Sequence, residues 1–152
     1  MVNVELPSGG SFFLLYLHPN STMLNFLNRI NYLPFAISWF LISTILMCLP
    51  GQVLPQEDWM SQIDLDKIIH IGLFAGLVFL WCGVVKKKEK IFKSVQQIYV
   101  WVALGGCVYG ILMEIVQKYF IPNRSFDIID MLADAIGSII GVVVATKLFV
   151  KK

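Results

Sequence analysis

Apolar residues fall in four long runs, and the polar residues that interrupt them recur at helical rather than strand spacing. The first run is Leu33 to Leu49, closed by Pro50 and Gly51. The second is Ile68 to Val85, broken by His70; the third is Ile98 to Val116, with Glu114 near its end. The fourth is Met131 to Val150, with Asp134 inside it and Lys147 close enough to its end to snorkel. A helix crosses the hydrocarbon core with about 20 residues, give or take a few. The pattern therefore predicts an all-α membrane protein, a compact bundle of four transmembrane helices over residues 33–150. Residues 1–32 read as a separate segment, interfacial or partly disordered, in which Phe12 to Leu17 is too short to span. A second reading starts the working chain at Met23 and treats what precedes it as dispensable. No small-residue cleavage site follows Leu33 to Leu49, so that run is expected to be retained.

The polar positions inside and beside these runs form stripes. Glu114 and Gln117 are three apart and share one helix face. Asp127, Asp130, Asp134, Gly137 and Gly141 recur at three and four, which is one stripe of the fourth helix. Asp66, Lys67 and His70 occupy the first turn of the second helix, and Arg124 lies in the short loop between the third and fourth. Ionisable side chains within membrane spans are costly and normally face a cavity or a partner. The expectation is one convergent pocket at one end of the bundle, walled by the second, third and fourth helices. The first helix carries no ionisable residue and reads as scaffold.

Composition strengthens the membrane reading. The chain is 57% apolar and 14% charged, with mean hydropathy +0.74, whereas about a quarter of a soluble domain is charged. Lysines set the orientation. Lys86, Lys87, Lys88, Lys90 and Lys93 follow the second run, Lys151 and Lys152 end the chain, and Arg29 precedes the first run. These segments alternate onto one side, which the positive-inside rule makes cytoplasmic, with both termini there. The acidic loops, with Glu57, Asp58, Asp64 and Asp66 in one and Asp127 and Asp130 in the other, then face outward. The expected location is a bacterial cytoplasmic membrane. Three spans carry Gly-x-x-x-Gly, at Gly72 and Gly76, Gly106 and Gly110, and Gly137 and Gly141. Such pairs let helices approach closely in lipid, within one bundle or between copies of a homo-oligomer. Cys48, Cys82 and Cys107 all fall in apolar runs without metal or redox spacing. Trp39, Trp59, Trp81, Trp101 and Tyr119 read as interface anchors.

Several chemistries fit the polar stripes. His70, Glu114, Asp130 and Asp134 are the candidate general acids and bases. Lys67, Gln117 and Arg124 are the candidate substrate contacts, with arginine suited to a phosphate or carboxylate head group. Asp66, Asp127, Gly106, Gly110, Gly137 and Gly141 read as structural. Asp127 fits the N-cap of the fourth helix. Plainer roles compete: Glu114 and Gln117 as a pair tying the third helix to the fourth, and Arg124 as a salt bridge to Asp127 or Asp130. His70 with Glu114, Asp130 and Asp134 is a metal-capable set, but no recognised metal spacing is present, and no metal or cofactor is expected. Ser125 lacks the context of an activated nucleophile. No inverted repeat or broken helix supports transport. No nucleic-acid partner is expected.

The ordered set Asp66-Lys67-x-x-His70, Gly110-x3-Glu114-x2-Gln117 and Arg124-Ser125-x-Asp127-x2-Asp130-x2-Ala133-x3-Gly137-x3-Gly141 resembles the VanZ-like family over about Leu33 to Val150. That family comprises small bacterial membrane proteins named for an accessory protein of glycopeptide-resistance clusters, associated with teicoplanin resistance. The resemblance implies a setting in the cell envelope and in antibiotic resistance, and specifies no reaction. Asp134 departs from the pattern, which usually carries asparagine there, and residues 1–32 lie outside it. Two functions follow as expectations: a site that binds an envelope lipid, a cell-wall precursor or a lipophilic glycopeptide, or an enzyme acting on a phosphorylated or glycosylated envelope lipid. A structural module that binds another membrane protein is the third.

Overall fold

The computed structural model describes residue 27 and residues 29–50, 65–86 and 95–150. Four helices account for nearly all of these: α1 (Tyr32–Met47), α2 (Leu65–Val85), α3 (Val95–Phe120) and α4 (Ile128–Phe149). No strand occurs among the described residues. The segment before Asn31, the loop residues 51–64 with Trp59, lysines 87, 88, 90 and 93, and the C-terminal lysine pair lie outside this description or apart from the helical unit.

Three helices are long and apolar enough to cross a bilayer: α2 with 21 residues, α3 with 26 and α4 with 22. The fourth, α1, has 16 residues, about 24 Å at the helical rise, against a hydrocarbon thickness of about 30 Å. The apolar run Leu33 to Leu49 is thus longer than the helix it builds. The chain leaves the helix at Cys48, two residues before Pro50, whose ring cannot continue it. In the other three the error has the opposite sign. Each helix begins three residues before its apolar run, and α3 runs on to Phe120. The polar first turns of α2 and α4 and the last turn of α3 lie together at one end of the bundle, where Asp66, Lys67, Asp130 and Gln117 have partners.

Burial does not sort by polarity as it does in a soluble bundle: beside an apolar core with Phe74, Val78 and Tyr99, polar side chains are buried and many large apolar ones are exposed. Leu41, Ile45, Trp101, Leu104, Val108, Leu132 and Ile139 are exposed, while His70, Glu114, Gln117, Asp130, Asp134 and Ser138 are buried. An apolar exterior, with the polar side chains kept between the helices, is the arrangement that lipid favours.

Helix directions follow from the contacts. α2 and α4 run parallel and make the most extensive interhelical contact. A Cβ on Gly137 would collide with the Ile71 carbonyl oxygen, and one on Gly141 would stand 2.7 Å from the Ala75 oxygen and 3.1 Å from the Phe79 nitrogen. α3 runs antiparallel to α4, and its glycines face side chains rather than backbone. A Cβ on Gly106 would stand 2.9 Å from Ser138 Oγ, and one on Gly110 would stand 2.6 Å from Asp134 Oδ2. A Cβ on Gly72, by contrast, would meet nothing within 4 Å among the described residues.

α1 packs on α2. Trp39 is half-buried and its indole N–H donates to the Leu73 carbonyl at 2.9 Å, with its ring over Gly76. This corrects the reading of Trp39 as an interface anchor: its N–H has a partner inside the bundle. Trp101, 71% exposed, and Tyr119, 70% exposed, do point outward. At the end of the bundle remote from Asp66 and Asp127, Lys86 Nζ sits 4.5 Å from the Tyr32 ring centre and 4.1 Å from that of Phe149. Lys86 is therefore buried among rings and is not simply one of a solvated lysine run.

Candidate functional site

The starts of α2 and α4, the end of α3 and the turn between α3 and α4 meet at one end of the bundle. Two helix N-termini there carry partial positive charge, which favours the acidic residues in their first turns by about 0.3–1 kcal/mol each. Asp66 lies in the first turn of α2 and Asp130 in that of α4. Asp127 caps α4, its Oδ1 accepting from the Ile129 N–H at 2.8 Å, as the stripe predicts. The turn over residues 121–127 is made tight by Asn123, whose φ of 58° is a left-handed conformation that asparagine tolerates better than most.

The deepest contact joins α2 to α4. His70 Nδ1 lies 2.9 Å from Asp134 Oδ1, with both side chains at most 3% exposed. The remaining oxygen, Asp134 Oδ2, has no hydrogen-bond partner among the described residues and rests where a Gly110 side chain would be. The glycine at 110 thus leaves space for the aspartate at 134. Glu114, fully buried, accepts the Asp127 backbone N–H on Oε2 at 2.9 Å and leaves Oε1 without a hydrogen bond. Nearer the surface, Lys67 Nζ stands 3.9 Å from both Asp127 Oδ2 and Asp130 Oδ1. Arg124 donates from Nη1 to Asp66 Oδ2 at 3.0 Å, and its Nε has no hydrogen-bond acceptor among the described residues.

Three pairings differ from the sequence-based expectations. Arg124 bonds Asp66 on α2, not Asp127 or Asp130, so it ties the α3–α4 turn to α2. Glu114 and Gln117 do not act together on α4. Glu114 holds the start of α4, whereas Gln117 donates from Nε2 to the Met47 carbonyl at 2.8 Å and holds the end of α1. α1 therefore closes one side of the site through a backbone acceptor, which no reading of ionisable residues finds. The metal-capable set differs as well: Asp66, His70 and Asp130 bring one ligand atom each within 4.8 Å of one another, and Asp134 stands behind the histidine. Ser138, fully buried one turn beyond Asp134 and facing Gly106, was not singled out from sequence. Its position four residues after Asp134, on the same stripe, is the signal that marks it.

A second feature adjoins the helices inside the apolar zone. A cavity of about 290 Å³ opens between α1, α2 and α3, lined by Phe40, Leu77, Trp81, Val102, Gly105 and Tyr109 among others. A Cβ on Gly105 would meet nothing within 4 Å among the described residues, so the groove is open at that point.

The sequence profile of the VanZ/LLP1 family matches residues 7–150. The chain belongs to the VanZ/LLP1 family. No curated protein and no solved structure matches. The family match starts well before Leu33, which corrects the reading that put residues 1–32 outside the pattern. Those residues carry no polar motif of the kind that marks α2 to α4, and a reading built on motif residues finds nothing there.

Proposed function

We propose that this VanZ/LLP1 member binds the head group of a phosphate-bearing envelope lipid at the polar end of its bundle. In this reading that end is the outer face of a bacterial cytoplasmic membrane, all four helices span, and close glycine contacts hold them together. The observation that carries the reading is the set of buried groups left without hydrogen bonds: Glu114 Oε1, Asp130 Oδ1, Asp134 Oδ2 and Arg124 Nε. Buried polar atoms are normally paired, and an orphan costs about 1–3 kcal/mol. A ligand offering hydroxyl or ammonium hydrogens to the carboxylates and an oxyanion to Arg124 satisfies all four. Hydrocarbon chains, acyl or polyprenyl, suit the apolar groove between α1, α2 and α3. Lipid-linked cell-wall precursors and lipophilic glycopeptides share this combination, and resistance to the latter is the phenotype that the family resemblance suggests.

The His70–Asp134 pair favours a second reading, an enzyme acting on the same lipid. A carboxylate held on one ring nitrogen fixes the tautomer and leaves the other nitrogen to take or give a proton.

One experiment addresses both. Full-length protein is extracted from bacterial membranes in mild detergent, and bound lipids are identified by native mass spectrometry. The wild type is expected to retain a phosphate-bearing lipid, and Arg124→Gln and Gly105→Leu to lose it, the second by filling the groove. Equal retention by wild type and both variants refutes the site. Prolonged incubation that changes the mass of the lipid assigns an enzyme, and bound but unaltered lipid assigns a binder.

A further inference from the structure

Asp66 and Asp130 approach the histidine from two helices, and their charges are not balanced locally. Among the described residues the polar end of the bundle holds Asp66, Glu114, Asp127, Asp130 and Asp134, against Lys67, Arg124 and, over the Tyr119 and Phe126 rings, Lys118 as the permanent cations. Carboxylates outnumber those cations five to three, and Lys118 is exposed at the edge of a site walled by apolar helices. A low-dielectric surround makes such an excess costly unless protons or a cation supply the difference.

We propose that Asp66, His70 and Asp130 hold one divalent transition-metal ion, of the zinc or manganese class, with Asp134 positioning the imidazole. The three ligand atoms lie within 4.8 Å of one another, which puts each no more than about 2.8 Å from a common centre. Zinc–nitrogen and zinc–oxygen bonds are about 2.0–2.2 Å, so closure requires each side chain to move by less than about 1 Å. Repulsion between two carboxylates holds them apart until a cation draws them in. Asp130 supplies an independent pointer. It is 5% exposed, yet its Oδ1 has no hydrogen-bond partner among the described residues, and the Lys67 ammonium stands 3.9 Å off. Arg124 occupies one oxygen of Asp66, and the carboxylate has a second.

The Asp134–His70 bond is the arrangement by which metal-binding histidines are oriented: a carboxylate accepts from one ring nitrogen while the other faces the ion. One imidazole and two carboxylates make a borderline donor set that zinc and manganese both accept. Three protein ligands leave a coordination position open, where a phosphate oxygen or a water can bind. The inference goes beyond the lipid reading; the two share Asp130 Oδ1, but Arg124→Gln and Gly105→Leu read lipid retention while His70→Gln and Asp130→Asn read metal uptake, so either can fail alone.

The test uses full-length protein in detergent, stripped with EDTA and dialysed against zinc chloride or manganese chloride, with bound metal measured by mass spectrometry. The expected result is about one ion per folded chain for at least one of the two metals. His70→Gln and Asp130→Asn are expected to lose it. Asp134→Asn, which keeps an acceptor for the ring N–H, is expected to weaken binding about 10- to 100-fold with helix content unchanged. Should the first two variants fail to fold, X-ray absorption on the zinc-loaded wild type decides, with a single imidazole and oxygen neighbours at about 2.0–2.2 Å expected. Folded wild type that takes up neither ion overturns the proposal. So does a full equivalent retained by both ligand variants, or an absorption spectrum dominated by sulfur.

Discussion

Replacing Gly141 by alanine tests the close approach of α2 and α4. A Cβ at this position would stand 2.7 Å from the Ala75 oxygen, 3.0 Å from Val78 Cβ and 3.1 Å from the Phe79 nitrogen. Two of the three are backbone atoms of α2 and cannot rotate away. Ordinary contact begins near 3.4 Å, so the helices must separate by roughly 0.7 Å along that direction, and a gap of this size forfeits about a quarter to a half of the dispersion energy of each contact it opens. Overpacking of this kind costs about 1–3 kcal/mol. Alanine also favours the helix over glycine by about 1 kcal/mol, which would mask part of the loss. Gly72→Ala removes that ambiguity. It lies on α2, and its Cβ would meet nothing within 4 Å among the described residues. Both variants gain the same propensity, so the difference between them isolates the steric cost. Gly141→Ala is expected to be less stable than Gly72→Ala by about 1–3 kcal/mol, a 5- to 140-fold difference in the unfolding equilibrium. Reversible unfolding in mixed detergent micelles, followed by circular dichroism, measures it. Equal stability of the two variants, or greater stability of Gly141→Ala, refutes the close approach of α2 and α4.

Two further substitutions examine single hydrogen bonds by the same assay. Glu114→Gln keeps an acceptor for the Asp127 N–H and should cost under about 1 kcal/mol, whereas Glu114→Ala leaves that donor unpaired and should cost about 1–3 kcal/mol more; equal losses would mean that the bond does not hold the start of α4. Trp39→Phe removes the N–H that donates to Leu73 and should lower stability by about 0.5–1.5 kcal/mol, with no change if the indole lies at the membrane interface instead.

Much of the site could be read before any coordinates. Spacings of three and four put Asp130, Asp134, Gly137 and Gly141 on one face of α4, and the structure buries all four in the bundle. The N-cap role of Asp127 follows from its place just before an apolar run, and its carboxylate does cap Ile129. Partners were another matter. Arg124 had acidic residues within a few positions along the chain and chose Asp66, 58 residues away. Gln117 found the Met47 carbonyl, an acceptor that every residue type offers and no sequence pattern marks.

Periodicity in the chain determined which residues share a helix face, because 3.6 residues per turn is a property of the backbone alone. It also determined that those faces carry carboxylates and glycines while the others carry leucine, isoleucine and valine. Only the tertiary structure decided that α2 and α4 pack directly on each other with Gly137 against Ile71, and this register is what sets His70 opposite Asp134 rather than one turn away. The reason is that rotation of a helix about its axis and sliding along it are set by contacts between helices. Those contacts belong to pairs of residues some 64 positions apart, and no local rule links them.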